Sequence, residues 1–110
     1  MKEKDTVYLF PEKATVQESI DILNSLSGLI NAKNEIIFSF EKVQSMDLSL
    51  VQLALSFMKT LSSKGKELQI KEPLSLEARE AFTLAGLLVK NEESASALER
   101  NLRTLIKEHS

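Results

Sequence analysis

Residues able to do chemistry are few in this sequence, and they gather in one stretch. "SMDLSLVQLALSF" (45–57) sets Asp47 and Ser49 just ahead of a long apolar run. A carboxylate and a hydroxyl two positions apart at a helix start can do two things. Either can accept backbone N–H groups as a helix cap. Ser49 can instead carry a phosphate, which suits the unsatisfied N–H groups and the positive end of the helix dipole. Such a phosphate adds about −1.5 to −2 charges, enough to block a partner that fits a neutral hydroxyl. Cap and switch are compatible, and both stay open on the sequence.

Other chemistry lacks its parts. There are no cysteines, which removes disulfides, thiolate metal sites and cysteine catalysis and leaves the cytoplasm as the default compartment. The single histidine, His109, is next to last, a poor place for a metal ligand or a catalytic base. Neither G-x-G-x-x-G nor G-x-x-x-x-G-K-[ST] occurs; Gly28, Gly65 and Gly86 fall at expected helix ends instead. The acidic cluster of a receiver domain is missing, Glu12 being a lone carboxylate after "YLF", and no paired carboxylates stand out for acid/base work. The expectation is a binding module without catalytic residues, metal or cofactor.

The elements that must position Asp47 and Ser49 fit one domain of 110 residues, with its core at about 6–106. A net charge of −2 with both signs interspersed gives no basic stripe for nucleic acid. No apolar stretch approaches the ~20 residues of a membrane span, and the charged start reads as no signal peptide. "TVYLF" (6–10) predicts a strand closed by Pro11. The next segment predicts a helix with Val16, Ile20, Leu23, Leu26 and Ile30 inward and a Thr15/Glu18 capping box. "EIIFSF" (35–40) reads as a buried strand, and a helix from the quoted stretch to about Ser63 ends at Gly65. "KELQI" (66–70) is a third strand. A helix capped by Ser75 and stopped by Gly86, a short strand "LLV" (87–89) and a last helix capped by Asn91 complete the chain. Glu92 and Glu93 stand near the positive end of that helix, and Lys107 near its negative end. The β-α alternation predicts an α/β fold: a small, mixed but mostly parallel four-stranded sheet with about four helices. Loops leaving strand carboxyl ends carry function in such sheets, and 41–49 is the longest of them.

The stretch "IIFSFEKVQSMDLSLVQLALSFMKTLSSKGKELQI", followed by "LEAREAFTLAGL", resembles the STAS domain, the family of anti-sigma-factor antagonists and their relatives. Asp47 matches the aspartate of the family's Asp-Ser-Ser-Gly-Leu motif and Ser49 its second serine; Leu48 and Leu50 stand at the first serine and the glycine. Gln52-Leu53 is similar to the Gln-Leu-Leu of small STAS proteins linked to chemotaxis and lipid transport. Lys64-Gly65-Lys66 matches the family's turn, Gly86-Leu87 its later pair, and "VKNEESASAL" its closing segment. One strand of the usual opening hairpin has no counterpart.

The resemblance implies regulated protein–protein binding, with Ser49 the residue phosphorylated by a partner kinase and Asp47 shaping the turn. Helical spacing puts Leu50, Leu53, Ala54, Phe57 and Leu61 on a core face, while Val51, Leu55 and Met58 widen the apolar arc to about 200°. Those three either dock a partner beside the polar strip of Ser49, Gln52, Ser56 and Lys59, or lie under neighbouring helices. The expected docking surface is Gln44, Asp47, Ser49, Val51, Gln52, Leu55, Ser56, Met58 and Lys59. Lys42, Arg79 and Arg100 read as solvated surface. The family offers a serine kinase that binds a sigma factor as partner, or alternatively a chemotaxis assembly or a Mla-type lipid-transport ABC ATPase. A small-ligand-binding module and a weak homodimer are also compatible with it.

Overall fold

The computed structural model describes residues 6–30, 35–92 and 94–108. His109, Glu93 and the expected end of the first helix at 31–34 lie outside these. In chain order the elements are β1 (Thr6–Leu9), β2 (Lys13–Ala14), α1 (Ser19–Ser27), β3 (Ile36–Ser39), β4 (Ser45–Met46), α2 (Leu48–Ser63), β5 (Gln69–Ile70), α3 (Leu76–Leu84) and α4 (Ala95–Glu108).

The α/β class stands, with every strand pair parallel. The single mixed four-stranded sheet does not. A three-stranded sheet runs β1-β3-β5, and β2 and β4 form a separate two-stranded ladder. The strand expected at 87–89 is irregular instead. Leu88 goes into the core, Val89 faces solvent, and the Leu87 carbonyl accepts from the Asn101 side chain at 2.9 Å, which leaves it unfree for a ladder.

Aromatic rings join the sheet to two helices. Phe10 stacks on Phe40 with centroids 4.4 Å apart, Phe40 meets Phe82 of α3 edge-on at 5.2 Å, and Phe38 meets Phe57 of α2 at 6.1 Å. Such ring pairs contribute about 0.5–1.5 kcal/mol each beyond the apolar area they bury. Both helices stop where the sequence says. After α2, Gly65 (φ 83°) gives its N–H to the Ser62 carbonyl and Lys66 to that of Leu61; after α3, Gly86 (φ 80°) and Leu87 repeat this with Thr83 and Phe82. A left-handed residue after a helix accepts glycine at least cost, and the paired bonds satisfy the last carbonyls.

α1 departs from expectation. One 3₁₀ turn, Val16–Glu18, precedes it, and Ile22 and Leu26 are the buried side chains. Val16, Ile20 and Leu23 are exposed, Ile20 to 71%. Two apolar series with helical spacing overlap in this segment, and the one containing Ile22 and Leu26 turns inward. The Thr15 hydroxyl donates to Glu18 Oε1 at 2.6 Å rather than accepting a backbone N–H, so the capping box is not formed.

α4 begins at Ala95 and is capped by Ser94, whose Oγ accepts from the Ala97 N–H at 3.0 Å. Asn91 sits in a turn with φ 77° and does not cap it. The helix lies along the outer edge of β5. Its Glu99 accepts the Ile70 N–H at 2.8 Å, and its Arg103 donates twice to the Leu68 carbonyl, at 2.7 and 3.1 Å. The two side chains pair with each other at 3.2 Å. Side chains thus do for this edge what a further strand would do.

Candidate interaction site at the start of α2

The two-stranded ladder brings the site together. Glu12 offers its carbonyl to the N–H groups of Gln44 and Ser45, and Lys13 and Ala14 pair with Ser45 and Met46. This register carries the entrance of α1 to the entrance of α2. Asp47 then serves both. Its Oδ1 accepts the Leu50 N–H at 3.1 Å, capping α2, and its Oδ2 accepts the Val16 N–H at 2.9 Å from 31 residues away. The sequence indicates the first role and is silent on the second.

With Asp47 as the cap, Ser49 is left over. Its side chain is exposed and hydrogen-bonds to nothing among the described residues. The N–H groups of Leu48 and Ser49, first and second in α2, also find no acceptor there. An exposed hydroxyl beside unclaimed donors can accept a partner's hydrogen bond or carry a covalent anion.

The expected docking surface divides. Gln44, Ser49, Gln52, Ser56 and Lys59 are exposed, and Asp47 and Leu55 are half-buried. Val51 and Met58 are only 2% and 1% exposed and belong to the core. They belong to the one buried apolar cluster, so they are unavailable to a partner. Arg79 also differs from expectation: it is half-buried, and its Nε is shielded with no partner among the described residues. Lys42 and Arg100 are exposed, the latter 3.4 Å from Glu92.

Apolar side chains missed on the sequence border the polar strip. Leu48 is exposed beside Ser49, Val16 hangs from Asp47 by its backbone, and Ile20 and Leu23 continue the row along α1. Leu23, Ser27, Leu53, Ser56 and Thr60 line a groove of about 160 Å³ between α1 and α2. Across Asp47 lies a wider hollow of about 360 Å³, edged by Thr15, Met46, Glu77, Glu80 and Leu84. Leu84 is 89% exposed. The α1 row carried a legible signal, since both apolar series have helical spacing and only one can face inward. Leu84 showed none, being one of two leucines at the ends of α3.

Among the described residues no group of three or more His, Cys, Asp or Glu is placed to hold a metal ion, and no helix is long and apolar enough to cross a membrane. No family model matches the chain, and no curated protein or solved structure matches it significantly.

Proposed function

We propose that the chain is a non-enzymatic, cytoplasmic STAS-like module that binds a protein partner at the start of α2. One observation carries this reading: the exposed, unpartnered Ser49 beside unclaimed N–H groups, bordered by exposed Leu48, Val16 and Ile20. Apolar side chains supply contact area, and the hydroxyl supplies a point at which contact can be granted or refused. Phosphate on Ser49 would place charge at the middle of the docking face without disturbing the cap, because Asp47 and not Ser49 holds the Leu50 N–H. The partner in this reading is a serine kinase that also binds a sigma factor, as the resemblance to anti-sigma-factor antagonists implies.

A second reading has its own support. The row Val16, Ile20 and Leu23 requires no charge switch, and Leu48 and Leu50 depart from the motif of the phosphorylated proteins. Both suit a constitutive adaptor of a chemotaxis assembly or a lipid-transport ABC ATPase.

Pull-downs from native cytosol with wild type, Ser49→Asp and Ile20→Asp as baits separate the two. A kinase held by wild type and lost from Ser49→Asp, with phosphate found on native Ser49, supports the switch. A partner that survives Ser49→Asp and is lost from Ile20→Asp supports the adaptor. A partner indifferent to both substitutions, or none, removes this surface from consideration.

A further inference from the structure

The two edges of the three-stranded sheet are treated differently. Along β5, Glu99 and Arg103 of α4 occupy the outward backbone groups of Ile70 and Leu68. Along β1, the described residues supply no such cover. β1 has β3 as its one hydrogen-bonded neighbour among them. The N–H groups of Thr6 and Phe10 point toward β3, bonding the carbonyls of Glu35 and Ser39 at 2.9 and 3.0 Å. Parallel pairing alternates, so the N–H and C=O groups of Val7 and Leu9 point the other way, outward from the sheet. The side chains of those same residues are each 47% exposed.

Natural edge strands are blunted by a lysine, a proline, a bulge or an inward charge, because an open edge is a template for pairing. Thr6 to Phe10 contain none of these: the stretch is uncharged and rich in β-formers. We propose that this edge is a homodimer interface, on which β1 of a second copy pairs antiparallel about a two-fold axis.

The register follows from which groups face outward. With the axis at Tyr8, Val7 exchanges both backbone hydrogen bonds with the partner's Leu9, and Leu9 with the partner's Val7. Directly opposed residues share a sheet face, so Val7 and Leu9 from both copies meet in one apolar cluster. Pro11, two residues beyond Leu9, has no N–H to donate and ends the ladder. The occupant is a second copy because the edge is self-complementary in this register. The assembly stops at two because Glu99 and Arg103 close the opposite edge, the condition for an isologous contact that does not propagate. The interface is small. Four residues of strand span only about 13 Å, less than a standard interface supplies, so association is weak and concentration-dependent.

Sedimentation equilibrium of the full chain, from about 1 μM to about 1 mM, reads this directly. The expected mass rises from one chain to two and stops there. Val7→Pro removes an N–H that β3 does not use, and proline is tolerated at the open side of an edge strand; this variant should keep its circular dichroism and its Tm and remain monomeric. Leu9→Lys, which places a charge in the paired cluster, should weaken dimerisation at least tenfold and serves if Val7→Pro does not fold. A wild-type chain monomeric throughout the range overturns the proposal. So does a folded Val7→Pro or Leu9→Lys that dimerises like wild type, or a mass that climbs past two.

Discussion

The first turns of α2 and α4 are built from the same residue types and finished differently. Each has a serine at its second helical position, Ser49 and Ser96, and a short side chain at the cap, Asp47 and Ser94. In α4 every donor is claimed. Glu72 reaches across from the loop after β5, accepting the N–H groups of Ala95 and Ser96 at 3.2 Å each and the Ser96 hydroxyl at 3.1 Å. The bond from Ala95 is the largest of the effects that hold the Glu72 carboxyl below its usual pKa, because it favours the charged form. In α2 no second carboxylate arrives, and the N–H groups of Leu48 and Ser49 are left without an acceptor among the described residues. One helix start is closed by the protein itself. The other leaves its first two N–H groups to the surroundings.

The largest test of this contrast concerns where the surface of α2 ends. Val51→Asp puts a carboxylate at a position only 2% exposed, among the apolar side chains of the core. A cost above about 3 kcal/mol, enough to unfold much of a small domain, is expected in urea titration. Ile20→Asp, on the exposed row, should cost less than about 0.5 kcal/mol. A folded, stable Val51→Asp would return that residue to the docking surface and undo the division drawn between core and interface.

The two carboxylates come next. Asp47→Ala removes the cap of α2 and the tether of Val16 together, for an expected loss of about 1–3 kcal/mol. Asp47→Asn keeps an acceptor for the cap and should lose less. Glu72→Gln keeps its shape and gives up charge, so its effect depends on pH. The pKa of Glu72 is lowered by folding; its charge therefore stabilises the fold above the ordinary value of 4.5, and that contribution fades as pH falls through the lower, folded value. The gap in Tm between wild type and Glu72→Gln should be widest near neutrality and close in acid. A gap that stays constant with pH would mean that the carboxylate charge contributes nothing at α4.

This contrast was only half visible in the sequence. Asp47 and Ser75 were legible as caps, and Gly65 and Gly86 as stops, because each acts on its own helix within three or four residues. The ladder between β2 and β4 was not, since a two-residue strand has no periodicity to show. Glu72 acting on Ala95, Glu99 on Ile70 and Asp47 on Val16 join residues 23, 29 and 31 positions apart, and no local pattern announces them. The face of α1 is ambiguous for a related reason: Val16, Ile20 and Leu23 have the spacing of a core stripe, but so does the series through Ile22 and Leu26 that is buried, and spacing alone does not choose between them. The "LLV" strand shows the limit of composition, because an apolar run with no free ladder beside it stays irregular.

The finest test substitutes the two matched serines. Ser49→Asp brings a negative charge to the positive end of α2. The N–H groups there are unclaimed, so the charge has donors to meet, and the nearby Asp47 offsets part of the gain. Stability should change by no more than about 0.5 kcal/mol. Ser96→Asp places the same charge at the same helical position of α4 and should go the other way. The hydroxyl that donated to Glu72 is lost, its carboxylate replacement faces another carboxylate, and the N–H groups it would seek are already held. A loss of about 0.5–1.5 kcal/mol follows from the broken bond alone, with like-charge repulsion adding to it at low salt. Urea titrations of both variants side by side measure the difference. If the two cost the same, the start of α2 is no more open to an anion than that of α4, and Ser49 loses the feature that sets it apart from Ser96.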